Sequence, residues 1–280
     1  LVAQRGRPCG IMQVLDVGNG RQAHMSDSVH APARQGVEKQ AAAYARGRPD
    51  YPGALGGWLR DALGLGPGRV VADVGAGTGK FTPLLAATGA DVIAVEPVDA
   101  MRAQITATQP AVRALPGTAD ALPLADAALD AIVCAQAFHW FATRAALDEF
   151  ARVLKAGGRL GLVWNVRDES VDWVAELTRI VTPHEGDAPR FHKGSWRQAF
   201  PHPAFGPLHE SVFEYVHEGP PQQVIVDRFM SVSFIAALPA DEQAGVRAQI
   251  EDLIATHPAL RGREMLRFPY HTRAFVAVRH

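Results

Sequence analysis

Residues 69–80, RVVADVGAGTGK, constrain this chain more than any other stretch. Val70, Val71, Ala72 and Val74 form a short apolar run with the length and composition of a strand buried in a parallel sheet. The run contains Asp73 and passes into three glycines spaced by small residues, where main chain rather than side chain becomes the surface a ligand meets. Residues 81–87 read as a helix, so the loop delivers a helix N-terminus to the same place.

Two nucleotide-binding loops fit poorly. A phosphate-cradling loop of the form G-x-x-x-x-G-K-[ST] would need glycine at Val74 and a hydroxyl at Phe81. The dinucleotide fingerprint G-x-G-x-x-G would need glycine at Lys80, and Gly79 falls one place early; this reading is weakened and stays open.

The chain ahead of the loop divides at residue 36. Arg5 and Arg7 precede a run broken by Gln13 and Asp16, which is not the apolar core of a targeting peptide. Residues 1–24 read as a tag or upstream extension with a start at Met25, residues 1–36 as a tail, and residues 37–280 as one domain. Within it, residues 37–45 look helical. Tyr44, Arg48, Pro49, Tyr51 and Pro52 follow in an extended turn fixed by the two prolines. Residues 52–65 resume as a helix.

After the loop the chain alternates. Residues 90–95 are a strand ending on Glu96, which lies 23 residues beyond Asp73, close to the roughly 20-residue offset at which a carboxylate meets ribose hydroxyls. Asp99 caps a helix at 100–108. Residues 111–115 are a third strand, followed by a turn carrying Ala119 and Asp120. Residues 129–135 are a fourth, running into Gln136-Ala137-Phe138-His139-Trp140-Phe141, where large rings stand in place of the polar residues of an ordinary loop. A helix with Ala146, Phe150, Val153 and Leu154 on one face ends at Gly157-Gly158. Residues 159–164 are a fifth strand, with Asn165, Arg167 and Asp168 beyond; Arg167 could pair a carboxylate or stand at the surface.

The C-terminal part changes character. A helix at 170–181 leads into an irregular segment at 182–207. Strands at 208–217 and 268–279 enclose helices at 224–238 and 241–256. The sum is an α/β fold: a Rossmann-like, mostly parallel seven-stranded sheet with helices on both faces, an antiparallel last strand and a helical insertion before it.

Composition narrows the function. The 280 residues are 48% hydrophobic and 20% charged with net charge −1, an ordinary globular balance with no global field for nucleic acid or an anionic membrane. Cys9 and Cys134 lie far apart, and the second falls in a buried strand, which points to reduced thiols and a cytoplasmic setting. No run approaches the roughly 18 apolar residues of a membrane span. Neither C-x-x-C nor H-E-x-x-H occurs, so no metal site is expected.

The D-V-G-A-G-T-G loop resembles motif I of the class I S-adenosylmethionine (SAM)-dependent methyltransferases, and the likeness extends over nearly all of residues 37–280. Tyr44, Arg48-Pro49 and Tyr51-Pro52, with Gln136 to Phe141, resemble the small-molecule branch that contains the trans-aconitate-type carboxyl methyltransferases. That resemblance implies SAM as cofactor. It assigns the amino-acid end of SAM to Asp73 and to Gly75, Ala76, Gly77 and Gly79, the ribose to Glu96, and the adenine to Ala119 and Asp120. Tyr44 and Arg48 would close over the methionine end and Gln136 would lie beside the sulfonium. Phe138, His139 and Trp140 would face a small-molecule acceptor, with an oxygen such as a carboxylate receiving the methyl. His139 could act as general base or only orient the acceptor. The implied protein is a monomer or homodimer. An NAD-type oxidoreductase and a non-catalytic SAM-binding subunit are the competing readings.

Overall fold

The structure, a computed structural model, describes residues 48–280; the helix expected at 37–45, with Tyr44, lies outside the described residues. Seven strands, β1 (Val70–Val74), β2 (Asp91–Val95), β3 (Arg113–Leu115), β4 (Leu129–Ala135), β5 (Leu154–Arg167), β6 (His209–Gly219) and β7 (Leu266–Val278), form one sheet in the order β3-β2-β1-β4-β5-β7-β6. The five on the β3 side run parallel, and β7 runs antiparallel to both β5 and β6. This is the expected sheet, with β7 inserted between β5 and β6.

The alternation of side chains along a strand divides the central core into two layers. Ala72 and Val74 of β1, Ile132 and Cys134 of β4, and Leu160, Leu162 and Trp164 of β5 pack with Leu147, Phe150 and Val153 of the helix Arg144–Val153. Val71, Ala131, Val133 and Val163 face the other way, onto Leu55, Trp58, Leu59 and Leu63 around the helix Leu55–Asp61. Each valine, leucine, isoleucine or phenylalanine among them taken fully out of water contributes ~1.5–3 kcal/mol, which decides where the strands lie. A third core joins Trp173, Leu177 and Val181 of the helix Asp172–Val181 to Val224, Ile225, Phe229, Val246 and Ile250 from the helical segment between β6 and β7.

Two local expectations fail. Gly157-Gly158 do not cap a helix: the helix stops at Val153, Leu154 turns extended, and the glycines sit in β5 where its register with β4 shifts. Gly157 takes φ +74, and a Cβ on Gly158 would come 2.8 Å from the Lys155 carbonyl, so the glycines serve a bulged strand. The helix expected at 224–238 is broken into a π-helical turn (Gln222–Asp227), a short helix (Arg228–Met230) and another (Ser233–Ala236). Val232 is extended, and the Ser231 hydroxyl donates to the Arg228 carbonyl at 2.8 Å; the freed Ser231 carbonyl accepts from Arg48 Nη2 at 3.1 Å.

Below the sheet, Asp130 fixes the strand starts. Its carboxylate accepts from the Val70 amide at 2.9 Å, Arg69 at 3.0 Å and Lys155 at 3.0 Å. Burial pushes its pKa up, and the Val70, Lys155 and Arg69 bonds outweigh that and hold it below the ordinary carboxylate value. Arg69 and Lys155 are about half exposed and contribute little as ion pairs, so the amide bond carries the effect. Asp130→Ala is expected to lower unfolding stability by about 1–3 kcal/mol at pH 7 in denaturant titrations. Because the folded pKa is depressed, the stabilisation is present above the unfolded value near ~3.9 and disappears as pH falls through the folded one, so the two proteins should converge in acid. Equal midpoints at pH 7 would refute this role.

Candidate active site

Where the chain reverses direction across the sheet, with β2 on one side of β1 and β4 on the other, the C-terminal strand ends open into a cavity of about 630 Å³. Asp73, Gly75, Ala76, Gly77, Glu96, Ala119, Asp120, Gln136, His139, Trp140 and Arg48 all line it. The three acids at successive strand ends therefore share one space.

Asp73 is fully buried: one carboxylate oxygen accepts from the Thr82 hydroxyl at 2.7 Å, and Oδ1 has no partner. Burial, opposed by the Thr82 bond and reinforced by the nearby Glu96, pushes its pKa up to about 7. The loop after it turns back on β2, with the Gly75 amide donating to the Val95 carbonyl at 2.9 Å. Gly75 has φ +70, and a Cβ there would sit 2.8 Å from that of Ala137, so glycine is required for both conformation and space. Gly77 donates its amide to Glu96 Oε2 at 2.9 Å while Val98 donates to Oε1 at 2.9 Å. Burial raises the Glu96 pKa, and those two amides with Arg102 work against the shift. Each Glu96 oxygen keeps a further lone pair, as hydroxyl recognition needs. Asp120 is exposed on the turn beside the buried Ala119.

Two sequence-derived site residues belong elsewhere. Gly79 does not line the cavity: it is buried, and a Cβ would press on Gln109 at 2.7 Å and Ile105 at 2.9 Å, so its role is to let the helix Asp99–Thr108 approach. Phe138 is fully buried among Phe141, Phe150, Trp196 and Phe200, with ring centroids 5.9–6.5 Å away; it anchors the turn from inside the core and does not reach the acceptor side. Gln136 lines the cavity in a left-handed conformation (φ 58), uncommon for a non-glycine residue, with its amide bonded to the Val163 carbonyl at 2.8 Å.

His139 is buried, and its Nδ1 accepts the Trp164 indole N–H at 3.0 Å. An indole nitrogen only donates, so the neutral ring carries its proton on Nε2. Burial, then Arg190, Arg48 and His192, hold its pKa well below the ordinary value. The ring thus offers an N–H, and its one lone pair is engaged.

The sequence did not mark Asn165, Arg190 and Arg228 as site residues, and left Arg167 open. Asn165 joins three segments: its amide donates to the Asp50 carbonyl at 2.9 Å, its oxygen accepts from Thr272 at 2.6 Å, and its own carbonyl accepts from Gln136 at 3.3 Å. Arg167, Arg190 and Arg228 line the cavity on the β5 side. Arg190 lies in the irregular segment and Arg228 on a short helix, places where a single arginine carries no periodic signal.

The chain matches the family model described as Methyltransferase domain over residues 72–162. It is 35% identical to an uncharacterized methyltransferase-like protein of Schizosaccharomyces pombe over 83% of this chain and 91% of that protein. It is 41% identical to an uncharacterized methyltransferase of Mycobacterium tuberculosis over 82% and 90%, respectively. Among solved structures, one from Anaeromyxobacter dehalogenans, provisionally assigned as a type II methyltransferase, superposes with TM-score 0.60 at 26% identity, covering 83% of this chain and 96% of that one.

A raised carboxyl pKa reduces stability once the unfolded state ionises, above about 4, and the loss is complete once the folded group also ionises near 7. Asp73→Asn is therefore expected to unfold at higher denaturant than the parent protein at pH 8 and at a similar midpoint at pH 4. A variant that is weaker at pH 8 would show that the Asp73 charge is compensated in the folded chain.

Proposed function

We propose that this chain, which belongs to the SAM-dependent methyltransferase family, transfers the methyl group of SAM to an oxygen of a small-molecule acceptor, such as a carboxylate. The observation that carries the reading is the sharing of one cavity by the acids of three consecutive strand ends and by His139, Trp140 and the arginines beyond β4. The fit to SAM rests on chemistry: the unpartnered, buried Asp73 Oδ1 suits an ammonium, and Glu96 has lone pairs free for a diol.

SAM supplies an already activated methyl group. What the chain adds is position and exclusion of water. Asp73, Gly75, Ala76 and Gly77 hold the amino-acid end, Glu96 the ribose, and Ala119 with Asp120 the adenine. Arg48 covers the methionine end, anchored by its bond to the Ser231 carbonyl. Gln136, held at the β4 end by the Val163 and Asn165 carbonyls, borders the place where methyl and acceptor meet. An ionised carboxylate needs no base, which agrees with an imidazole whose lone pair is taken by Trp164; His139 acts as a hydrogen-bond donor that orients the acceptor. The dinucleotide alternative shares the Glu96 carboxylate but lacks the third glycine, where Lys80 stands.

Calorimetric titration with S-adenosylhomocysteine tests the cofactor assignments: Glu96→Ala should weaken binding by about tenfold or more, and unchanged affinity would remove Glu96 from the ribose site. His139→Asn tests the donor role in assays that follow labelled methyl from SAM into a base-labile ester. The rate is expected to fall by a similar factor at every pH from about 6 to 9. A loss confined to one limb of the profile would make His139 a base instead.

A further inference from the structure

We propose that Thr82 is a positioning residue for the cofactor: its hydroxyl, bonded to one carboxylate oxygen of Asp73, keeps the other oxygen available to the ammonium of SAM and supports the charge that pairs with it. This rests on the reading above that gives Asp73 to the amino-acid end of SAM, and adds the residue that makes Asp73 usable there.

Asp73, near the end of β1, and Thr82, at the start of the helix Thr82–Ala86, are both fully buried. The hydroxyl donates to Asp73 Oδ2 at 2.7 Å, while Oδ1 has no hydrogen-bond partner and Asp73 lines the cavity. The hydroxyl has little freedom of its own. Threonine is β-branched and stiff at χ1, Pro83 follows it, and Leu85 of the same short helix is buried in the core that holds Leu55 and Phe81. The glycine loop closes over it as well, since a Cβ on Gly79 would come 3.5 Å from Thr82 Oγ1. With Oδ2 held in this way the carboxyl plane is held too, and Oδ1 is the acceptor left for a ligand.

The same bond governs whether a charge can exist there. Burial raises the Asp73 pKa most, the Thr82 bond lowers it, and Glu96 at the β2 end raises it again, so of these influences Thr82 alone favours the ionised form. From β4, Cys134 faces Asp73; burial, then the Asp73 charge, holds that thiol well above its ordinary value, so it is neutral. Lys80, in the same loop, lies against Asp50 at 3.1 Å. Among the described residues no ammonium or guanidinium stands within ion-pair distance of Asp73. With its pKa pushed up to about 7, Asp73 is part protonated in neutral solution before the cofactor arrives. Pairing with an ammonium sends that proton to solvent, so affinity for a ligand that carries an ammonium rises with pH until Asp73 is ionised.

The test measures binding rather than turnover. Calorimetry on the full chain compares S-adenosylhomocysteine with methylthioadenosine, which has the same adenine and ribose and no amino-acid end. The ratio of the two affinities cancels the titration of Glu96, whose ribose partners are common to both ligands. In the parent protein that ratio is expected to rise by about tenfold or more from about pH 5.5 to about 8, levelling once Asp73 is ionised, and only S-adenosylhomocysteine should release a proton, read from the heats in buffers of different ionisation enthalpy. Thr82→Val should lower the ratio by about tenfold at pH 7 and move its midpoint to higher pH. Thr82→Ala should do the same without pressing a methyl on the carboxylate, and Thr82→Ser should restore both. Equal proton release by the two ligands, the parent's pH course in Thr82→Val or Thr82→Ala, or a loss shared equally by both ligands would overturn the proposal. Asp73→Asn with the parent's ratio would instead remove Asp73 from the ammonium and overturn the reading beneath it.

Discussion

The hydrogen bond from the Gly77 amide to the Glu96 carboxylate joins two strand ends into one rim. Without it the glycine loop after β1 and the turn after β2 would be separate pieces of exposed chain. With it, and with the Gly75 amide on the Val95 carbonyl, the loop folds toward β2 and leaves Asp73 enclosed behind it. The residue types follow from this geometry. Positions 75 and 77 need positive φ, position 75 has no room for a Cβ, and position 96 needs two acceptor oxygens, one for each of two amides. A glutamine at 96 could accept only one of those bonds with its carbonyl oxygen and would turn an NH2 toward the other donor.

The order of strands is also an order of charge. Asp73 near the end of β1, Glu96 after β2 and Asp120 after β3 stand on one side of the switch point, and the arginine-bearing segments lie beyond β4, toward β5 and the helices that precede β7. Between them stand the neutral groups of β4 and its turn, Gln136, His139 and Trp140. The cavity is thus acidic at one end and basic at the other. His139 shows the consequence: buried on the basic side, it is held neutral and keeps its N–H available. Neither set of charges favours folding by itself, since burial disfavours ionised Asp73 and depresses Arg190 alike.

How far this was legible in the sequence varies with the range over which each signal acts. The strands, the glycine loop and Glu96 were readable because a buried parallel strand and the turn after it are written in consecutive residues. The π-helical turn was not, because Gln222 to Leu238 have helical composition and the break at Ser231-Val232 serves a distant partner, Arg48. Gly157-Gly158 gave the signal of a helix cap, which a bulged strand shares. Phe138 stood in a run of rings of which part faces the cavity and part the core, and composition does not sort the two. The arginines are the clearest case: Arg167, Arg190 and Arg228 converge only through topology, and each alone looks like an ordinary surface cation.

That convergence depends on the helical segment between β6 and β7. Its apolar side forms a core of its own with Trp173, Leu177 and Val181, fastened to β7 through Phe268 and Tyr270, so it is a fixed wall of the cavity. The break in its helix has a structural use, since a continuous helix would engage the Ser231 carbonyl internally. With the break, that carbonyl accepts from Arg48 and ties the segment at 48–52 to the wall. Asn165 secures the same segment from the sheet side through the Asp50 carbonyl. The segment at 48–52 is therefore held by polar contacts from β5, from the helical segment and from Lys80, whose ammonium lies 3.1 Å from Asp50 Oδ1, while the acids and arginines of the cavity sit on elements fixed by apolar packing. Substitutions at Asn165 or around Ser231 would act on the placing of that segment without touching the acids and arginines of the cavity.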